Sequence, residues 1–477
     1  MKKIYIIILS AILLQSCNSF LDLQPKGYTI PTTYDDFWQL MNYAQMYKAQ
    51  ENYPVYLTDD ALLSSGDLAA NYTNTEDHVK ALYSFAHGDV FSGGQDDYFW
   101  SLSYNRIYTC NVVINNVMNS KDGNDNDKKR LQAEAKVARA FEYLSMIGMY
   151  SPAYNEATAA SDYGLPLNYS EDIGTMSYTR NTVAEVYDAI KKDLDEALPF
   201  LPDKAKHSFK ASKSVAYGFL ARMYLMQGNY EKALENSVLS LKVSSDLLNL
   251  NDYTVLEDRY IGRVVKKSDM QTNFPDGKNN VENIFARYAP YVYGNVLQVH
   301  ASEDLLNVFA KDLPKGAVDK RLAMFFSKDK FVYDSFPGYT LYCAFIYVNV
   351  GLSNPEVLLT AAECYARRGA ANDLVEASRL YNILRDNRLE NNTHVQFTNK
   401  DEALLKVLEE RRREFAMVGS IRLVDLKRLN KDPKFAKTLT HTADGKTWQL
   451  EPNDLRYTMP LPPVVKNYRP DLPDYKR

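Results

Sequence analysis

Three tyrosines within one short stretch carry the clearest binding chemistry in the sequence. Tyr288, Tyr291 and Tyr293 lie close together in a segment with a proline and a glycine, which are typical of a loop. A tyrosine ring offers a flat apolar face on which the C–H bonds of a sugar ring can pack, while amides and guanidinium groups bind the hydroxyl groups around it. We therefore predict a ligand-binding loop that also includes Arg287 and Asn295.

Two further segments have a similar composition. Tyr339 and Tyr342 follow Pro337-Gly338, which predicts a second exposed loop. Asn71 and Tyr72 combine an amide with an aromatic ring in an earlier polar segment. We predict that these four residues also contact ligand. The alternative for every tyrosine is a packing role in which its hydroxyl group is hydrogen-bonded.

The sequence contains none of the common catalytic or metal-binding motifs. The six histidines form no HExxH pair, and neither GxSxG nor GxxxxGK[ST] occurs. The acidic run 122–127 lacks the glycine and the glutamate of a calcium-binding loop, so we interpret it as a solvated turn. We predict no enzyme activity, no metal and no cofactor. A glycoside hydrolase stays open as an alternative, because it needs only two carboxylates at the right separation.

The N-terminus has the pattern of a lipoprotein signal peptide. Lys2 and Lys3 precede an apolar run over 4–14, and Leu14-Gln15-Ser16-Cys17 follows. This run is too short to span a bilayer. We predict that residues 1–16 are removed and that acylated Cys17 anchors the mature chain to a membrane. The alternative is an ordinary signal peptide with a chance cysteine.

The bulk composition is that of an ordinary globular protein. Hydrophobic residues make up 45% of the chain and charged residues 24%, with a net charge of -4. This charge argues against nucleic acid as a partner, since binding to phosphates requires clustered lysines and arginines. The one basic cluster, Arg411-Arg412-Arg413, has glutamates on both sides, which predicts a self-compensated helix. With Cys17 acylated, three cysteines remain, and no disulfide framework is implied.

Apolar residues at spacings of three and four predict a mostly α-helical chain. The predicted helices are Tyr34–Tyr47, Tyr98–Asn119, Lys128–Tyr150, Val183–Leu198, Ser212–Gln227, Tyr230–Ser244, Pro355–Arg368, Leu374–Arg388 and Glu402–Met417. Two helix pairs, beginning near Ser214 and Leu358, have the small-residue and tyrosine spacing of tetratricopeptide repeats. A long aromatic-rich segment, 251–354, separates them. We therefore predict one domain over 17–477, a repeat scaffold with long irregular insertions.

Seven short motifs follow one another along the chain. They are Cys17-Asn18-Ser19-Phe20-Leu21-Asp22; Trp100, Tyr104, Ile107 and Asn111; Glu134-Ala135, Arg139-Ala140 and Tyr143; Val183, Glu185-Val186-Tyr187, Ile190 and Asp193-Leu194; Leu220-Ala221-Arg222-Met223-Tyr224-Leu225; Asn354-Pro355-Glu356 with Ala362-Glu363, Asn382, Arg385 and Arg388; and Glu410-Arg411-Arg412, Glu414, Gly419, Arg422 and Asp425-Leu426. In type and order they resemble the SusD/RagB family of outer-membrane lipoproteins from Bacteroidota. Trp100 belongs to one of these motifs, and we assign it to the scaffold.

The resemblance implies a surface-exposed SusD-like protein that captures nutrients and has no catalytic activity. Its implied partner is a TonB-dependent outer-membrane transporter of the SusC type, to which it would deliver an oligosaccharide or polysaccharide. A RagB-like protein that captures peptide is the second possibility. The chain departs from the family pattern at Val418, in the spacing from Gly419 to Asp425, and in the partly kept closing motif Met459-Pro460-Leu461-Pro462.

Overall fold

The structure is a computed structural model. It describes residues 31–49, 53–65, 70–172, 174, 178–256, 263–288, 299–331, 334–343 and 348–477. The predicted signal peptide, Cys17, Tyr291, Tyr293 and Asn295 lie outside these ranges. Within the ranges, no helix has the length and apolar character needed to cross a membrane.

Helices dominate the described chain. They are α1 (Tyr34–Asn42), α2 (Asp77–Tyr83), α3 (Tyr98–Asn116), α4 (Asp125–Tyr150), α5 (Val183–Ala197), α6 (Lys213–Gln227), α7 (Tyr230–Val243), α8 (Glu303–Ala310), α9 (Lys320–Phe325), α10 (Asn354–Arg368), α11 (Ala371–Asp386), α12 (Lys400–Glu414), α13 (Ile421–Leu429) and α14 (Pro463–Tyr468). All nine predicted helices are present, so the mostly α-helical class is confirmed. Five short helices, α2, α8, α9, α13 and α14, were not predicted.

Local capping explains several helix boundaries. The Thr182 hydroxyl accepts a hydrogen bond from the Glu185 amide, and the Glu185 carboxylate accepts one from the Thr182 amide, which forms a capping box at α5. Gly228 ends α6 at φ 77° and Gly369 ends α10 at φ 72°. This left-handed conformation favours glycine, because other side chains would be strained there. The helix ends therefore follow from local sequence.

The two predicted repeat pairs form and pack together. Helix α6 packs against α7, α10 packs against α11, and α7 also lies against α10. Ala221, Ala233, Ala362 and Ala377 are all buried at these contacts. Their small side chains allow close approach of the helices. The tetratricopeptide-like scaffold is thus confirmed, with the second pair brought beside the first across the long insertion.

The insertion contains more regular structure than the sequence predicts. Its strands are β2 (Tyr253–Leu256), β3 (Arg263–Lys266), β4 (Asp269–Asn273), β5 (Asn283–Phe285), β6 (His300–Ala301), β7 (Val318–Asp319), β8 (Phe326–Phe331), β9 (Asp334–Tyr342) and β10 (Leu352–Ser353). Outside it lie β1 (Ala61–Leu62), β11 (Leu389–Glu390), β12 (Leu439–Ala443) and β13 (Lys446–Leu450). One sheet has the order β1-β6-β9-β8, β2-β3-β4 form a second, and β12-β13 form a hairpin.

One large apolar core joins distant parts of the chain. Its buried members run from Ala49 to Leu472 and include Trp100, which is 6% exposed and so has the scaffold role predicted for it. Cys110, Cys343 and Cys364 are buried free thiols. A second core lies between the C-terminal repeat pair and α12.

The positive charges of the three consecutive arginines on α12 are neutralised by ion pairs, mostly with residues of other segments. Arg411 pairs with Asp425 at 2.9 Å, and Arg412 pairs with Asp60 at 2.7 Å. Only Arg413 pairs within its own helix, with Glu410 at 2.9 Å. The prediction of a self-compensated helix thus holds for Arg413, whereas Arg411 and Arg412 tie α12 to α13 and to the segment before β1.

Candidate functional site

A candidate site, which we call the aromatic site, is defined by three half-buried aromatic residues from distant segments, Tyr72, Tyr339 and Trp448. Tyr72 and Trp448 have ring centroids 5.1 Å apart and ring planes 37° apart. Tyr83 lies next to both, at 6.0 Å and 6.2 Å. Tyr339 is the third member. Tyr339 packs against the buried cluster of Ala70, Phe336 and Leu341, and Ala70 lies two residues before Tyr72. Burial raises the pKa of Tyr83 to about 12, and the Tyr339 phenol adds to this effect.

The strands explain why these residues meet. Strand β1 pairs with β6, where Ala61 faces Ala301, and β6 pairs with β9, where His300 faces Leu341. This places the Tyr339 ring 4.8 Å from the His300 ring. The β12-β13 hairpin contributes Trp448, opposite His441. Residues more than 100 positions apart therefore share one surface.

Polar groups surround the aromatic rings. The Thr73 hydroxyl donates to the Asp444 carboxylate at 2.6 Å, and the Asp444 amide donates to the Ser65 hydroxyl at 3.0 Å. The Asn74 amide donates to the Asn71 side chain at 2.7 Å. Thr73, Asn74 and Asp444 are exposed. The site thus combines apolar faces with hydroxyl, amide and carboxylate groups.

A stacked histidine forms the floor of the site. The His441 ring lies between Tyr83 at 4.2 Å and Phe85 at 4.5 Å, nearly parallel to both. Its Nδ1 is 2.7 Å from the Tyr83 carbonyl and its Nε2 is 2.9 Å from the Thr58 carbonyl. The pKa of His441 is lowered, because the effect of burial outweighs the opposite effect of its hydrogen bonds to the two carbonyls. These contacts fix Tyr83, and Tyr83 supports Tyr72 and Trp448.

The predicted loop after Arg287 begins in a different group of rings. Arg287 is buried, with its guanidinium group 3.6 Å from the centre of the Phe285 ring, and burial lowers its pKa to about 10. Tyr288 is half-buried and contacts Phe209, which in turn stacks on Tyr47. Arg287 therefore has a packing role here, and Tyr288 offers only part of its ring to solvent.

The second predicted loop is a β-strand in the structure. Pro337 and Gly338 lie within β9, and Tyr342 is 3% exposed at the end of that strand. The Tyr342 ring packs on Phe326 at 5.2 Å. The expectation of an exposed loop is corrected, because the segment pairs with β6 and β8, and its last three residues, Thr340, Leu341 and Tyr342, are all buried. Tyr339 stays half-exposed and joins the aromatic site.

Of the nine predicted residues, the structure brings Asn71, Tyr72 and Tyr339 together. Asn71 is only 9% exposed, and its side-chain oxygen accepts the hydrogen bond from the Asn74 amide at the rim. The sequence analysis missed Trp448 and Asp444. Asp444-Gly445 between two alternating segments is a hairpin signal that could have placed Trp448 on a strand. In the described part of the chain, no group of three or more histidine, cysteine and acidic side chains could hold a metal ion.

Comparison with known protein families agrees with the fold. A family model described as "Starch-binding associating with outer membrane" matches residues 19–225. The SusD-like protein P2 of Formosa agariphila is 30% identical over 200 residues, which are 40% of this chain and 37% of that relative. The N-terminal half of the chain is thus similar to the SusD-like family. The matched segment spans little more than a third of this curated SusD-like relative.

Solved structures of SusD-like proteins match nearly the whole chain. A SusD superfamily protein from Bacteroides thetaiotaomicron has a TM-score of 0.70 at 18% identity, covering 93% of this chain and 100% of that one. A putative sugar binding protein from Bacteroides vulgatus has a TM-score of 0.69 at 19% identity, covering 94% and 99%. At this identity the likeness establishes the fold alone. It extends the SusD-like architecture beyond residue 225.

Proposed function

We propose that this SusD-like protein binds oligosaccharide or polysaccharide at the cell surface. The observation that carries the proposal is the aromatic site, where the Tyr72 and Trp448 rings contact each other beside a polar rim. Flat rings bind the C–H faces of sugars, and neighbouring polar groups bind the hydroxyl groups. The description of the matched family as starch-binding supports the same conclusion.

The chemistry of the site favours a sugar. Tyr72 and Trp448 are half-buried, so part of each apolar ring faces solvent. Tyr83 is fully buried and supports the two rings. Thr73, Asn74 and Asp444 supply exposed hydrogen-bonding groups at the edge of the site. A peptide held along its backbone would need a row of main-chain partners instead.

The remaining parts of the proposal concern location and delivery. We propose that acylated Cys17 anchors the protein to the outer membrane with its body exposed to the medium. We also propose that the captured glycan passes to a SusC-like, TonB-dependent transporter, which would make the protein a nutrient-uptake component without catalytic activity. The family description, which refers to association with the outer membrane, supports this location.

The first test is isothermal titration of the chain from Asn18 onward with a panel of oligosaccharides and polysaccharides, followed by analysis of the ligand for cleavage. We expect sugar binding without turnover. Trp448→Ala should weaken binding roughly two- to ten-fold, since one aromatic contact contributes about 0.5–1.5 kcal/mol beyond the area it buries. Trp38→Ala is the matched control, because Trp38 is an exposed tryptophan on α1.

Three outcomes would contradict the proposal in different ways. Undiminished affinity in both Trp448→Ala and Tyr72→Ala would place the sugar elsewhere. Binding of mixed peptides and of no sugar would favour the RagB-like alternative. Recovery of cleaved sugar would favour a glycoside hydrolase and would direct attention to paired carboxylates.

A further inference from the structure

A second cavity shares no residue with the aromatic site. It lies between the segment that follows α4, the C-terminal end of α13 and the segment that follows β13, and its volume is about 210 Å³. One water molecule takes up about 30 Å³, so the cavity has room for a small ligand. We call it the lysine cleft and define it by Lys427, Asn430, Asp454 and Tyr457, which line it.

The cleft contains a buried lysine without an acidic partner. Lys427 is 6% exposed, and its ammonium group donates hydrogen bonds to the carbonyl oxygens of Gly148, at 2.7 Å, and Ser151. An ammonium group has three N–H bonds, so one remains for a further acceptor. Burial lowers the pKa of Lys427 to about 7, and no carboxylate among the described residues opposes this effect. A buried cation of this kind is stabilised by an anion placed beside it.

Two further buried groups in the cleft are unpaired. Asn430 is 4% exposed and Tyr457 is 2% exposed. Within the described ranges, neither the Asn430 Nδ2 nor the Tyr457 hydroxyl forms a well-aligned hydrogen bond with another protein group. The two lie near each other, because burial raises the pKa of Tyr457 to about 12 and the Asn430 side chain partly opposes this rise. Unpaired buried polar groups are rare in folded proteins, since each one loses its hydration without a replacement.

The carboxylates near the cleft are already paired with arginines. Asp454 lines the cleft, but its side chain pairs with Arg456 at 2.6 Å. Asp59 is the other nearby carboxylate, and it pairs with Arg422 at 2.7 Å. Lys431 also lines the cleft and is exposed at its edge. The free hydrogen-bonding groups of the cleft are therefore donors, and its uncompensated charge is positive.

We propose that the lysine cleft binds the carboxylate group of a small acidic ligand, such as an acidic monosaccharide or an acylated amino acid. The two oxygens of a carboxylate only accept hydrogen bonds, which matches the free donors of Lys427, Asn430 and Tyr457. Its single negative charge also equals the charge of the one buried ammonium group. This inference goes beyond the glycan proposal and does not rest on sugar binding at the aromatic site.

The test is isothermal titration of the chain from Asn18 onward with glucuronate and with N-acetylglycine. Each acid is compared with a neutral counterpart, glucose for the first and N-acetylglycinamide for the second. We expect at least one acid to bind, and its counterpart to bind at least about ten-fold more weakly, because hydrogen bonds to a charged group are stronger than those to a neutral one. The acid that binds more tightly identifies the source of the carboxylate.

Two substitutions test the cleft without removing Lys427, whose hydrogen bonds hold the end of α4. Tyr457→Phe should weaken binding of the acid about ten-fold and leave the melting temperature of the free protein unchanged, because its hydroxyl has no partner to lose. Asn430→Asp should abolish binding, because it places a carboxylate in the cleft with Lys427. Its remaining oxygen can still accept the hydrogen bond from the Lys437 amide, so the fold should be kept.

Tyr468→Phe and Asn467→Asp are the matched controls, at exposed residues of α14 outside the cleft, and neither should change binding. Unchanged affinity in both cleft variants, equal binding of the acids and their neutral counterparts, or no binding of either acid at millimolar concentration would overturn the proposal. Tighter binding of inorganic phosphate than of the acids would also overturn it. Trp448→Ala should leave binding of the acid unchanged, so failure of the glycan proposal can be distinguished from failure of this one.

Discussion

At the scale of single residues, Glu410 is the most demanding position in the interior. Its side chain is fully buried on α12 and accepts hydrogen bonds from Arg385 at 3.0 Å and Arg413 at 2.9 Å. Arg321 adds a contact at 2.8 Å. Three guanidinium groups therefore converge on one carboxylate, and of these Arg321 also pairs with Asp319 and Glu414. Such a cluster is costly to break, because the partners left behind are buried charges.

We expect Glu410→Gln to reduce the free energy of unfolding by about 3–5 kcal/mol. Urea unfolding followed by circular dichroism would measure this. Glu376→Gln is the control, since Glu376 pairs with Arg379 on the surface and should change stability by less than about 1 kcal/mol. Equal effects of the two substitutions would show that the buried cluster contributes no more than a surface pair.

The same residue predicts a pH dependence. Burial raises the pKa of Glu410, but Arg321, Arg413 and Arg385 outweigh it and lower the pKa to about 2. The folded-state pKa is thus below the unfolded value of about 4.3. This stabilisation, about 3 kcal/mol, is present above pH 4.3 and is lost as the pH falls toward 2. The stability difference between the native protein and Glu410→Gln should shrink over this range in urea titrations.

The candidate site shows what residue type alone can predict. The amide and aromatic composition around Tyr72 predicted a ligand contact there, and Tyr72 is part of the candidate aromatic site, where its role in binding stays a prediction. Composition could not distinguish Tyr339 from Tyr342, because the decisive difference is tertiary packing: the end of β9 is buried and Tyr342 packs on Phe326, whereas Tyr339 is only half-buried. Trp448 was missed because its partner Tyr72 lies more than 370 residues earlier in the chain.

At the scale of elements, the helices followed from the sequence and the short strands did not. Long helices such as α4 carry many apolar repeats and a capping residue. Strands β1, β6 and β10 have two residues each, too few for an alternating pattern. They exist because distant backbone segments meet and pair their polar groups. Pairing of this kind depends on tertiary structure.

The pairing of β5 with β10 depends on a glycine. A Cβ atom at Gly351 would lie 2.0 Å from the Phe285 carbonyl oxygen and 3.1 Å from the Arg287 amide. These two atoms belong to the backbone, which cannot move aside as a flexible side chain could. We therefore expect Gly351→Ala to lower the free energy of unfolding by roughly 2–4 kcal/mol. Gly93→Ala is the control, since a Cβ there meets nothing within 4 Å; thermal unfolding would compare the two variants.

At the scale of the whole molecule, distant segments are tied into one body. The large core joins residues from Ala49 to Leu472, and ion pairs link Asp59 with Arg422 at 2.7 Å and Asp60 with Arg412. The chain end is included, because the Asp474 carboxylate accepts a hydrogen bond from the Leu461 amide at 3.0 Å. Segments from both ends of the chain thus share the same interior.

We therefore expect the body to unfold in a single step, as the sequence analysis predicted for one domain. Differential scanning calorimetry should give a calorimetric enthalpy equal to the van't Hoff enthalpy. Removal of residues 474–477 should lower the melting temperature without splitting the transition. Two separate transitions in the intact chain would instead indicate independent domains.

The contact between α7 and α10 has a consequence for how the protein forms. The two helices pack together with residues 244–353 between them. Closing so long a loop costs entropy before any contact compensates, so non-local topologies of this kind fold slowly. Slow folding would suit the export proposed above, because a chain that crosses a membrane in an extended state must do so before its native contacts form. The insertion that delays closure also supplies β6 and β9, so the aromatic site should be among the last parts to assemble.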